Sequence, residues 1–193
     1  MHSADDEDLE GKLRFLREAG AAAQAHSHGT LLEHLTGVRA LLRGWGASDA
    51  LCDAGLFHSV YGTEYFGAAS VEREDRERVR AAIGADAEEL AWLWCTIRRH
   101  TLAANLERDA DFTVSDRTSG DELPLTQERL VDLANLWAAD TVEQYQRLGG
   151  RTRCLEELYR LRTLALPGAR EALEAALGAP EGRKSTPRTA DRS

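Results

Sequence analysis

Apolar residues recur at spacings of three and four along most of this 193-residue chain, the period of helices that turn one face to a core. Leu9, Leu13 and Leu16, behind the acidic opening Asp5 to Glu10, predict a first helix, which Gly20 and His26-Ser27-His28-Gly29 break. Leu31, His34, Leu35, Val38, Leu41, Leu42 and Trp45 predict a second, stopped by Gly44 and Gly46. Residues 50–60, capped by Ser48 or Asp49, are apolar almost all round, the mark of a central helix, and His58 stands near its end. A charged helix over 71–83 follows, then a long one opened by the capping-box pair Asp86 and Glu89 and carrying Leu90, Leu93, Trp94, Ile97 and Thr101. A helix over 126–148 turns Leu130, Leu133, Ala134, Trp137 and Thr141 inward, and two more, over 155–166 and 169–177, close the chain. Only 112–117 and 122–125, around Thr118-Ser119-Gly120-Asp121, read as a hairpin. The expectation is an all-α bundle of seven or eight helices with one short hairpin, in a single domain over 1–178, and a disordered Gly-, Pro-, Ser- and Arg-rich tail over 179–193.

Composition narrows the class of partner. A formal net charge of −9 argues against a nucleic-acid or anionic-membrane footprint, and leaves a small molecule as the expected ligand. No apolar run approaches a membrane span, and Met1 to Gly20 lacks the pattern of a secretory signal. Cys52, Cys95 and Cys154 are odd in number and form no Cys-x-x-Cys pair, as expected in a reducing cytoplasm.

The strongest chemical signal is a pair of histidines in apolar helical stretches, His34 and His58. An imidazole there needs a partner; a shared metal ion would serve both, and so would hydrogen bonds within a core. His26 and His28 stand before the His34 helix, and as alternate residues of an extended loop only one of them would face inward. With His34 and His58 it would make a three-histidine set suited to a divalent transition metal, iron or zinc rather than magnesium. The loop after His58 offers Glu64 as a general base and Tyr61, Thr63 and Tyr65 as hydrogen-bonding groups for a ligand. Arg98, Arg99 and His100 read first as a solvated helix end, with a metal role for His100 or a phosphate role for the arginines as the alternative.

Several segments in order resemble the HD superfamily, closest to the hydrolase domain of (p)ppGpp synthetase/hydrolases. Gly29 to His34 is similar to that family's Gly-x-Pro-Tyr-x-x-His, and Ala54-Gly55-Leu56-Phe57-His58 to its Ala-x-Leu-Leu-His. Ile83 to Leu90 resembles Phe-Gly-x-x-Val-x-x-Leu-Val, and Leu130 to Asn135 resembles Ile-Lys-Leu-Ala-Asp, so the likeness runs over about residues 26–145. The Leu56-to-Thr63 wording also resembles a family of uncharacterised bacterial proteins. The HD resemblance implies an all-helical fold and a divalent metal, iron, zinc or manganese, held by His34 and His58.

The departures fall on the carboxylates. Ser59 stands where the family has the aspartate of its His-Asp pair, which makes it the second catalytic candidate beside Glu64. Asn135 stands where the family has its distal aspartate, which makes it a ligand-binding candidate; Gly62-Thr63 replaces an acidic pair. Asp140, five residues beyond Asn135, is turned about 140° away on a helix and is not expected to substitute for it. Two functions follow from this pattern: a metal-dependent enzyme of rebuilt HD type acting on a small molecule, phosphorylated or not, by hydrolysis or iron-dependent oxidation, or a non-catalytic descendant that binds a small molecule or regulates.

Overall fold

The computed structural model describes residues 4–26, 29–147 and 155–177. The chain forms helix α1 (Ala4–Glu18), the paired strands β1 (Ala25–His26) and β2 (Gly29–Thr30), and helices α2 (Leu31–Gly44), α3 (Asp49–Phe57), α4 (Arg76–Ile83), α5 (Ala85–Thr96) and α6 (His100–Ala103). Strands β3 (Phe112–Ser115) and β4 (Glu122–Leu125) pair antiparallel with Phe112 opposite Leu125, and α7 (Gln127–Arg147), α8 (Leu155–Leu161) and α9 (Pro167–Leu177) complete the fold. The protein is thus all-α with a short hairpin, and its second two-stranded ribbon lies in the histidine loop that sequence periodicity treats only as a break. His28 and the 179–193 tail lie outside the described residues.

Helices α2, α3, α5 and α7 pack together at the centre. Thr30 starts α2 with a capping box, its hydroxyl accepting from the Glu33 amide while the Glu33 carboxylate accepts from Thr30 N–H. Ser48 caps α3, whose seven residues Leu51 to Phe57 are all buried. Gly55 permits the close α2–α3 approach, since a Cβ there would lie 2.5 Å from Leu42 Cδ1. Helix α2 serves two apolar clusters at once, Leu31 and Leu35 facing one with Phe57 and Val79, Val38 and Leu42 facing the other with Trp94 and Trp137.

Two expected boundaries move, each for a polar reason. Asp86 and Glu89 make no capping box; α5 starts at Ala85 with Gly84 (φ 83°) as its N-cap, and both carboxylates pair with Arg129 of α7. The helix expected to continue through Thr101 ends at Thr96, because Ile97 turns extended (ψ 156°) and bridges Asp116, the residue after β3 in the hairpin. Arg98 N–H then donates to Ser115 and Arg117 N–H to Thr96, so the hairpin takes over hydrogen bonds the helix gives up. No helix among the described residues is long and apolar enough to cross a membrane.

Candidate metal centre

Three elements converge on one point. His34 lies on the inward face of α2, His58 follows the last residue of α3, and Asp140 projects from the middle of α7, all three buried. His34 Nε2 is 3.2 Å from His58 Nε2 and 3.2 Å from Asp140 Oδ1, and His58 Nε2 is 3.6 Å from that same oxygen. Together these side chains form a cluster that could hold a metal ion.

The outward-facing ring nitrogens are both engaged, and this sets the tautomers. His58 Nδ1 donates to the Gly55 carbonyl at 2.7 Å, so its Nε2 carries a lone pair into the cluster. His34 Nδ1 donates to Glu143 Oε2. Glu143 can reach it because residue 37 is glycine: a Cβ there would lie 2.8 Å from Glu143 Cγ. Asp140 is anchored in turn, Oδ1 accepting from Gln144 Nε2 at 2.8 Å and Oδ2 from Arg99 Nη1 at 3.0 Å.

Burial in low dielectric pushes the His58 imidazole down, keeping it neutral. The same burial acts on His34, but the hydrogen bonds and charges of Asp140 and Glu143 overcome it and hold that imidazole up at about 9. Burial would raise the Asp140 carboxyl; Arg99, His34 and His58 hold it well below the usual carboxylate range. Near neutral pH the cluster therefore sets a protonated His34 beside a neutral His58 and an ionised Asp140.

His26 lies over the cluster, its ring stacked on His34 with centroids 4.3 Å apart and its edge against Phe66. Burial first, then the neighbouring imidazoles, push it down to about 4, and its buried Nδ1 has no hydrogen-bond partner among the described residues.

The other expected site residues separate. Glu64 accepts the Arg99 backbone N–H at 3.0 Å, so it braces the arginine. Ser59 is buried, yet no hydrogen bond among the described residues joins its hydroxyl to the cluster, whose one carboxylate is Asp140 of α7. Thr63 Oγ1 accepts from Phe66 N–H and tightens the loop. Tyr61 is turned away, its hydroxyl donating at 2.9 Å to Glu88, which also binds Arg76. Tyr65 is exposed and lies over Arg99.

Asn135 needs the plainest correction. Its Oδ1 accepts Leu166 N–H at 2.8 Å and its Nδ2 donates to Val131, which ties α7 to the start of α9 and points it away from the histidines. Asn135→Ala should therefore cost about 1–3 kcal/mol by stranding buried backbone groups, with zinc affinity unchanged; a chemical melt beside a zinc titration checks both.

Sequence reasoning sets Asp140 aside, reads Arg99 as a solvated end and misses Glu143, and the structure corrects all three. Residues 133–143 of α7 are buried all round, so no single stripe marks the direction of the site. A signal was present nonetheless: Asp140 is the lone charge in Leu133 to Val142, and a charge in an apolar run demands a partner. Arg99 turns inward because the helix breaks at Ile97, and it reads as a solvated end only while that helix is taken as continuous.

A family model described as a domain of unknown function, DUF6817, matches residues 15–99. The matched segment holds His34, His58 and Arg99 and ends before Asp140. No curated protein and no solved structure matches the chain.

Proposed function

We propose that this chain is a metal-dependent enzyme of HD type, hydrolysing a small molecule at an ion held by His34, His58 and Asp140. The observation that carries the reading is the convergence of two imidazole Nε2 atoms and one carboxylate oxygen at mutual distances of 3.2, 3.2 and 3.6 Å. On an ion with bonds of about 2.1 Å, donors about 90–110° apart stand roughly 3.0–3.4 Å from one another, so the cluster needs little adjustment to close on a cation. A three-residue donor set leaves coordination positions for water and substrate, as catalytic centres require. The chain order His, His, Asp supports the HD resemblance, with Asp140 serving where that resemblance points to Asn135.

When bound, the ion would supply Lewis acidity and a water of lowered pKa. The residues supply the rest. Gly55 fixes the His58 lone pair towards the cluster, and Glu143 orients His34 and balances its charge. His26, with an unpartnered buried Nδ1 over the cluster, is placed to hold a proton exchanged with a ligand. Zinc or manganese suits hydrolysis. A second reading, iron-dependent oxidation, is favoured by the two-histidine, one-carboxylate donor set itself. Buried free Cys52 and Cys95 support a cytoplasmic setting.

Metal analysis of protein purified without tag or chelator tests this: one zinc, manganese or iron per chain, with ester turnover lost on chelation, is expected. Protein that stays metal-free and refuses added metal overturns it. The proton on His34 adds a pH signature. Below the His34 value of about 9, each bound cation releases one proton, so zinc affinity should rise on the order of tenfold per pH unit between pH 6 and 8. A flat profile would show that His34 is not displaced and not a ligand.

A further inference from the structure

Arg99 is 5% exposed, yet its guanidinium is only partly used. Nη1 donates to Asp140, while Nε, also buried, has no hydrogen-bond partner among the described residues. The guanidinium lies over the Trp94 ring, 4.1 Å from its centroid, with Tyr65 on another side at 5.0 Å. Trp94 is itself fully buried, its ring meets His58 edge to face, and its indole Nε1 likewise has no partner. Two orphaned buried atoms on one stacked pair, beside the three metal-ligating side chains, need an explanation. Both are donors that cannot accept, so whatever satisfies them must present acceptor atoms.

The surroundings add two more guanidinium groups. Arg117 Nε and Arg73 Nη2 both donate to the Cys95 carbonyl, at 2.7 and 3.4 Å, and Arg117 Nη2 reaches the Gly62 carbonyl in the loop after His58. Neither arginine is paired with a carboxylate among the described residues. The carboxylates close by are engaged elsewhere, Glu64 with the Arg99 amide and Asp116 with the amides of Thr118 and Ser119. In a chain of net charge −9, Arg73 and Arg117 thus stand near Trp94 and Cys95 without an ion-pair partner among the described residues. Tyr65, whose ring lies against Arg99, is itself exposed.

We propose that Arg99, with the indole N–H of Trp94 beside it, is an oxyanion receptor, and that the substrate carries a phosphate or carboxylate group seated there. Recognition of the anion stands on Arg99 and Trp94; the metal-dependent reading supplies only what happens at the neighbouring bond. An oxygen taking the Arg99 Nε and the Trp94 N–H would place its parent group beside Asp140 and the two imidazoles.

Calorimetric titration of orthophosphate and of acetate into wild type, Arg99→Gln, Arg99→Lys and Trp94→Phe, each metal-free and cobalt-loaded, tests the assignment. Wild type should bind at least one of the two anions. In the metal-free protein, where the lost support of Asp140 cannot act through a cation, Arg99→Gln should bind that anion roughly ten- to a hundredfold more weakly, the weight of a charge-assisted hydrogen bond. Arg99→Lys, which keeps the charge and loses the fork, should fall between, and Trp94→Phe should weaken the anion severalfold while keeping the ring. A preference for orthophosphate identifies a phosphate-bearing substrate, and a preference for acetate a carboxylate. Equal anion affinity in wild type and every variant that folds overturns the receptor, as does a wild type that binds neither. Cobalt uptake is read separately by its visible spectrum: a protein that takes no cobalt ends the metal reading, and the metal-free titrations then decide for or against Arg99 by the same comparison.

Discussion

Asp140→Asn should lose at least roughly a hundredfold in zinc affinity, more than the ten- to hundredfold typical of residues that only support a ligand. The asparagine keeps the volume and the hydrogen bond from Gln144, but it offers no charge to the cation and none to Arg99 or to protonated His34. Three groups lean on this carboxylate, so its neutralisation also loosens the metal-free protein, by about 3–5 kcal/mol if the buried arginine is left unpaired. The paired control is Asn135→Asp. A carboxylate restored at the position the HD resemblance singles out should leave zinc affinity where it was, because that side chain faces Leu166 and Val131. Zinc titrations of both variants decide between the two registers. A gain in Asn135→Asp with no loss in Asp140→Asn would place the ligand at 135 and undo the cluster.

That contrast shows where sequence reading reaches its limit. His34 could be singled out because α2 has one clear apolar face, and an imidazole on that face has to be accounted for. His58 follows a helix buried on every side, so its burial was legible from composition alone, though not the direction of its ring. The carboxylate was harder. In α7 a wheel gives the angle between Asn135 and Asp140 correctly, but the helix is buried on all faces there and the wheel cannot say which of the two directions holds the histidines. Arg99 depends on a break that no propensity marks: Ile97 and Arg98 are acceptable helix formers, and the hairpin strand 19 residues on, through Arg98 and Arg117, decides the matter. Local periodicity fixes what lies on one helix face. It does not fix contacts made by elements far apart in the chain.

Gly37→Ala should weaken zinc binding ten- to a hundredfold, the usual range when the carboxylate behind a metal-ligating histidine is displaced, although residue 37 touches no ligand atom. The added Cβ would stand 2.8 Å from Glu143 Cγ and 3.0 Å from its Oε1, inside any permitted contact. Glu143 is a flexible side chain, so it yields by swinging away, and His34 Nδ1 loses the acceptor that fixes its tautomer and orientation. Stability should move little, because alanine inside a helix gains about 1 kcal/mol over glycine, which offsets the disturbance. The cycle with Glu143→Ala, which removes both the clashing side chain and the acceptor, makes this specific. If Gly37 acts only by leaving room for Glu143, the alanine should cost nothing further once the carboxylate is gone, whereas additive losses would show that Gly37→Ala disturbs α2 itself. Chelator-competition zinc affinities of wild type, the two single variants and the double variant, each beside a thermal melt, separate these outcomes. Recovery of wild-type zinc affinity in Gly37→Ala with a normal melt would mean that the Glu143 contact does not orient His34 for a cation.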